Sequence, residues 1–121
     1  MKKILVVEDE LAYIKVLHDQ LAAVGYEVIE AHDGKVGLET ALHTKPDLIL
    51  LDIRMPKMDG LTMLKELRKD SWGKYVNVMI LTNLEDSGSI SNALNEKLSR
   101  YIVKSDSTLD QVKDQVNMLL R

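Results

Sequence analysis

Four short apolar runs in this chain each end on side chains able to handle a charged, oxygen-rich group. Glu8 and Asp9 follow Ile4-Leu5-Val6-Val7, and Asp52 follows Leu48-Ile49-Leu50-Leu51. Thr82 follows Val76 to Leu81, and Lys104 follows Tyr101-Ile102-Val103. Magnesium binds through one or two carboxylates together with waters and phosphate oxygens. A lysine is a point charge for phosphate, and a hydroxyl can donate to an equatorial phosphoryl oxygen. Asp52, ionised near neutral pH, can ligate a metal, accept a phosphoryl group as a carboxylate nucleophile, or cap the loop that follows. Each residue also has an ordinary reading: Asp9 as a helix N-cap, Thr82 as the start of a turn, Lys104 as a solvated surface lysine. Gathered in one crevice, the three carboxylates repel one another unless a cation holds them. The whole set suits in-line phosphoryl transfer onto Asp52.

Gathering them is a matter of the elements that carry them. Apolar runs without a polar break, here Ile4 to Val7 and Leu48 to Leu51, read as strands buried on both faces, and Val76 to Leu81 and Tyr101 to Val103 read as further strands. Tyr26 to Ala31 reads as a shorter fifth strand. Leu11, Ile14, Leu17, Leu21 and Val24 follow helical spacing, closed by Gly25. Asp33-Gly34 reads as a turn, followed by a weaker stripe of Val36, Leu38, Ala41 and Leu42. Leu61, Leu64 and Leu67 mark a helix after Gly60, and Ser87 to Leu98 another. The last helix begins at Ser107, whose spacing to Asp110 has the form of a capping box, and its stripe is Leu109, Val112, Val116, Leu119 and Leu120. Strands joined through helical crossovers run parallel with right-handed connections. Their carboxyl ends then share one edge, where ligands bind in open α/β sheets.

Composition narrows the field. The chain has 121 residues, 45% hydrophobic and 29% charged, which suits one domain over residues 1–121. It has no cysteine, excluding disulfides and thiolate chemistry. The net charge of -3, with scattered Lys and Arg, carries no footprint for direct nucleic-acid binding. No signal peptide or membrane-length stretch is present, so a cytoplasmic location without membrane contact is expected.

Val6-Val7-Glu8-Asp9-Glu10, the stretch Leu51-Asp52-Ile53-Arg54-Met55-Pro56-Lys57-Met58-Asp59-Gly60, Leu81-Thr82 and Tyr101-Ile102-Val103-Lys104 together resemble the receiver domain of bacterial two-component response regulators. The resemblance implies a flavodoxin-like (βα)5 three-layer sandwich with a five-stranded parallel sheet in order 2-1-3-4-5. It implies that Asp52 is the phosphoacceptor, with Mg2+ held by Asp9 directly, by Glu8 through water, by Asp52 and by the backbone carbonyl of Arg54. Thr82 and Lys104 would bind the phosphoryl group, and Tyr101 would be an aromatic switch residue. The implied partners are a sensor histidine kinase or phosphotransfer protein as donor, and an output domain or target of unknown kind. Arg54, Asn83 and Leu84 occupy positions that modulate slow self-dephosphorylation.

The chain departs from the pattern in places. Ser105 stands where proline usually follows the lysine, so a trans bond is expected there. Asn83 replaces a small residue after Thr82. Lys97-Leu98 leaves the end of the preceding helix without a glycine cap. Ser99-Arg100 replaces an acidic pair, so a symmetric dimer built on that pair is not expected. His18, His32 and His43 lack ligand spacing and read as surface residues, and Trp72 reads as a hydrophobic plug. Three other functions compete with the switch. A phospho-enzyme hydrolase would need an acid two residues past Asp52, where Arg54 stands. A flavin carrier would need a phosphate cradle where Glu8-Asp9-Glu10 repels phosphate. A degenerate receiver acting only as a phosphorylation-independent interaction module is opposed by the intact Asp52, Thr82 and Lys104.

Overall fold

The computed structural model describes residues 1–82, 99–104 and 108–120. Five parallel strands form one sheet: β1 (Lys3–Val7), β2 (Glu27–Ala31), β3 (Leu48–Asp52), β4 (Asn77–Thr82) and β5 (Ser99–Val103). Their order is β2-β1-β3-β4-β5, as the resemblance implies. Four helices are described: α1 (Leu11–Ala23), α2 (Gly34–Thr44), α3 (Gly60–Leu67) and α4 (Leu109–Leu120). The helix expected over Ser87 to Leu98, the residues Asn83, Leu84 and Ser107, and the bond from Lys104 to Ser105 lie outside the described residues.

Strand residues alternate between two cores. Leu5, Val7, Ile49, Leu51, Val78 and Ile80 join Ala41 of α2 and Met63, Leu64 and Leu67 of α3 on one face. Ile4, Val6, Leu48, Leu50, Met79, Leu81 and Ile102 join Ile14, Leu17 and Leu21 of α1 and Val112 and Val116 of α4 on the other. Cover on both faces is why β1 and β3 read as unbroken apolar runs. β2 lies at the sheet's end and is only partly buried, so its sequence carries charge within the strand.

Several expected boundaries shift for local reasons. Asp9 does not cap α1. The helix starts one residue later, with extended Glu10 at the N-cap, and Ile14 N–H donates to the Glu10 carbonyl at 3.1 Å. Asp33 does more than turn the chain, because its Oδ1 accepts the Val36 N–H at 2.8 Å and caps α2. The α2 stripe is partly revised: Ala41 is buried as expected, but Val36 and Leu42 are exposed and Gly37 is buried in their place. A Cβ on Gly37 would press into Val7 and Met63, so glycine allows α2 to lie close against β1. The capping box of α4 falls one residue past the expected Ser107–Asp110 pair. Thr108 N–H donates to Gln111 Oε1 at 2.7 Å and Gln111 N–H to Thr108 Oγ1 at 3.1 Å. Asp110 instead faces solvent and pairs with Lys113. Leu11 and Val24, at the ends of the α1 stripe, are exposed.

Trp72 packs against the α2/α3 core. Beside it the buried Arg68 donates from Nη1 to the carbonyls of Gly73 and Val76 at 2.8 and 2.7 Å. This arginine ties the α3–β4 connection to the end of α3, an anchor that the sequence pattern does not reveal.

Candidate functional site

The site is set by strand register. Val7 pairs with Leu51, so the next residues, Glu8 and Asp52, emerge side by side at the carboxyl edge. Asp52 in turn pairs with Leu81. Thr82 pairs with Val103, which brings the backbone of Thr82 and the start of the Lys104 segment to the same edge. Side-chain phase completes the placement. Glu8, Asp52 and Lys104 each lie two residues past Val6, Leu50 and Ile102, which all point into the α1/α4 core. With a period of two, the three polar side chains turn to that same side.

The resulting geometry is compact. Carboxylate oxygens of Glu8, Asp9 and Asp52 lie within 4.8 Å of one another. Glu8 and Asp52 are buried, at 1% and 5% exposure, while Asp9 is exposed. Lys104 Nζ donates to Glu8 Oε2 at 2.5 Å and lies 3.5 Å from Asp52 Oδ1. The other Glu8 oxygen, Oε1, accepts the Glu10 N–H at 3.1 Å. Glu8 therefore has a donor on each oxygen, which is how a buried carboxylate is tolerated. On the remaining side, Lys104 Nζ stands 4.7 Å from the centroid of the Tyr13 ring.

These surroundings tune the charges. Burial and the adjacent Glu8 charge push the Asp52 carboxyl up to about 7, against the pull of Lys104 and the Ile53 N–H. The expectation of an ionised Asp52 at neutral pH is thus revised: even with Lys104 beside it, burial and Glu8 favour the protonated form. Burial works against the Lys104 ammonium, but the hydrogen bond to Glu8 and the charges of Asp52 and Glu8 outweigh it and raise its pKa. Burial also raises the Tyr13 hydroxyl; Lys104 opposes this, while Glu8, Glu10 and Asp52 add to it.

The loop after Asp52 is braced from both ends. Gly60 N–H donates to the Ile53 carbonyl at 2.8 Å, and a Cβ on Gly60 would collide with the Asp52 carbonyl oxygen. Asp59 Oδ1 caps α3 through the Thr62 N–H at 2.8 Å. Lys57 adopts φ +67° and its ammonium lies 3.7 Å from Asp33, while Gly34 lets the Met58 carbonyl pack against the start of α2. The Pro-Lys-Met-Asp-Gly run thus folds back to hold the backbone of Asp52. Arg54 lies two residues past Asp52 with its side chain exposed.

Other expected residues are distributed as follows. Tyr101 sits on β5 and is 46% exposed. Asn83 and Leu84 lie outside the described residues. The histidines are on the surface but two of them are organised: His18 Nδ1 is 2.5 Å and His32 Nε2 3.5 Å from opposite oxygens of Glu30. Sequence reasoning also missed Tyr13. Its signal was available, because it lies four residues before Leu17 of the α1 core stripe and so shares that face of the helix.

A family model described as response regulator receiver domain matches residues 4–117. The chain is 37% identical over 120 residues to "Probable transcriptional regulator ycf27" of Cyanophora paradoxa, covering 99% of this chain and 48% of that protein. It thus spans about half the length of the curated relatives it matches over nearly its whole length. The response regulator TrrA of Thermotoga maritima, solved in complex with Mg(2+)-BeF, superposes with a TM-score of 0.83 at 34% identity, covering 99% of this chain and 100% of that one. The receiver domain of sensor histidine kinase PA1611 of Pseudomonas aeruginosa, solved with magnesium coordinated in its active-site cleft, gives a TM-score of 0.86 at 27% identity, covering 98% and 96%.

Proposed function

Because this chain belongs to the response regulator receiver family, we propose that residues 1–121 form one receiver domain whose Asp52 takes a phosphoryl group from a phosphohistidine. Receiver domains act as phosphoacceptor switches rather than classical enzymes, and work with histidine kinases or phosphotransfer proteins. One observation carries the reading for this chain: the register sets Asp52 between the acids Glu8 and Asp9 and the cation Lys104.

The three carboxylates fit a hard divalent cation, since they offer only oxygen and lie within 4.8 Å of one another. Asp9, Asp52 and the Arg54 carbonyl would hold Mg2+ directly. Glu8, with both oxygens already accepting hydrogen bonds, would contribute through water. The bound ion supplies charge neutralisation for the acceptor and the phosphoryl oxygens.

The chain's own residues do the rest. An ionised Asp52 oxygen attacks phosphorus, the P–O bond forms, and the P–N bond to the donor imidazole breaks with its electron pair leaving on nitrogen. Lys104 stays beside the acceptor as a fixed positive charge for the added oxygens. Thr82 supplies a hydroxyl to the phosphoryl group, and its movement is coupled to Tyr101, whose amphipathic ring can turn inward. The change at Thr82 and Tyr101 is passed to an output domain or target. Arg54, with Asn83 and Leu84, sets a slow intrinsic loss of the phosphoryl group. Among the described residues no helix is long and apolar enough to cross a membrane.

The test is direct. Incubated with Mg2+ and a small acyl phosphate, the protein gains one phosphoryl group by intact mass, and Asp52→Asn gains none. Equal labelling of that variant would sink the assignment.

A further inference from the structure

We propose that Tyr13 is the seat of Lys104, a positioning residue whose ring face holds the ammonium over Glu8 and Asp52. This rests on the phosphoacceptor reading only for its consequence, not for the geometry. Lys104 extends from the end of β5, and its side chain is only 12% exposed. A lysine head drawn out of water loses hydration on every side and needs a substitute on each. Glu8 and Asp52 provide it on one side. Tyr13 provides it on another, with its centroid 4.7 Å from Nζ. That distance falls within the range at which the negative face of an aromatic ring attracts a cation, and the attraction strengthens as the cation is desolvated.

The ring is itself held in place. Tyr13 packs against the α1/α4 core, and the next residue, Ile14, is buried in it. α1 is therefore a rigid mount, and its first turn faces the side to which Glu8, Asp52 and Lys104 all point. Beyond Lys104 the chain enters Ser105, which puts no ring constraint on the backbone. The direction of the lysine then depends on what its head touches. An aliphatic side chain at position 13 would fill the same space without attracting the ammonium. Lys104 would sample positions away from Asp52, and the acceptor would lose part of its fixed positive charge.

The test compares the wild type with Tyr13→Phe, Tyr13→Leu and Tyr13→Met. The first readout needs neither metal nor phosphate. The ε-methylene protons of Lys104 should be shifted upfield by the ring current in the wild type and Tyr13→Phe, and should return to ordinary lysine positions in Tyr13→Leu and Tyr13→Met. The second is the initial rate of phosphoryl gain from acetyl phosphate with Mg2+. The maximal rate should fall by roughly fivefold in the Leu and Met variants at similar half-saturation, with Phe restoring it, as expected for loss of an interaction that orients a charge. An unshifted Lys104 in the wild type, or full-rate labelling of both aliphatic variants, would overturn the proposal. So would a Phe variant as slow as Leu, which would assign the effect to the hydroxyl. The ring-current shift should persist in Asp52→Asn. If it does and no protein labels, the seat stands and the phosphoacceptor reading falls.

Discussion

Lys104 and Glu8, 96 residues apart in the chain, meet in a 2.5 Å hydrogen bond between Nζ and Oε2. The pair is buried on both sides, at 12% and 1% side-chain exposure. The site of this domain is therefore closed by a long-range ion pair before any ligand arrives, with lysine standing as the resident counter-ion of an acidic cluster.

Breaking that pair from one side should be costly. Lys104→Met leaves Glu8 and Asp52 facing each other without the lysine between them, and should destabilise the metal-free protein by about 3 kcal/mol in urea unfolding. Glu8→Gln should cost less, because a neutral amide still accepts from the lysine. The double variant Glu8→Gln/Lys104→Met should be clearly more stable than the sum of the single losses predicts. Additive losses would mean the two groups do not interact.

The raised Asp52 carboxyl makes stability depend on pH in a definite direction. Its value of about 7 lies above the ordinary carboxylate value of about 3.9, so the folded state holds this proton more tightly than the unfolded chain. The stabilising contribution is complete below the unfolded value, declines as pH rises through the interval, and is gone above 7. Asp52→Asn has no proton to lose. In EDTA, its advantage in stability over the wild type should grow from pH 5 to pH 8, on the order of 3 kcal/mol at most. Parallel stability curves across that range would show that Asp52 does not titrate there.

Asp9 separates repulsion from ligation. Asp9→Asn removes one charge from the cluster and one oxygen ligand from the proposed Mg2+ site. The apo melting temperature should hold or rise, while the increase produced by millimolar Mg2+ should shrink to under about half of the wild-type increase. An unchanged Mg2+ increment would move the metal site elsewhere.

Gly60 tests the brace on the acceptor. A methyl at this position meets the Asp52 carbonyl oxygen, so Gly60→Ala should cost about 1–3 kcal/mol, as overpacking does. Phosphoryl gain at Asp52 should slow as its backbone is pushed aside. A variant of wild-type stability and labelling rate would show that the loop yields without moving the acceptor.

On the proposed function, the residues two past Asp52 and Thr82 set the rate of self-dephosphorylation. Arg54 can shield the acyl phosphate and Leu84 cannot orient water. Arg54→Asn with Leu84→Glu should therefore speed phosphate loss by roughly tenfold, equivalent to about 1.4 kcal/mol of barrier. Loss no faster than in the wild type would remove both residues from this role.

Much of this was readable in the chain. Ile4 to Val7 and Leu48 to Leu51 are continuous apolar runs because both sheet faces are covered, and the residues ending them fall at the active edge. The strand order was implied by the resemblance, since periodicity does not fix neighbours. The rest depended on competition that no single stretch records. Asp9 read both as a cap and as one of the clustered acids; the helix begins after Glu10, and only the second reading holds. Asp52 looked ionised, yet burial and Glu8 outweigh Lys104. Tyr13 carried no reading of its own, because its partner Lys104 arrives only when β5 closes the sheet. Likewise, His18 and His32 were placed at the surface, but their shared partner Glu30 appears only when β2 packs beside α1.

The shared phase of Glu8, Asp52 and Lys104 has an evolutionary consequence. β1 and β3 are buried on both faces, so a shift of one residue would leave their apolar character intact and hydrophobicity alone would not oppose it. It would, however, carry a carboxylate through the sheet to the side of α2 and α3, away from its cation. Insertions and deletions in these strands should therefore be tolerated only in pairs of residues, because the chemistry of the domain is an even-numbered property of strands whose packing is indifferent to parity.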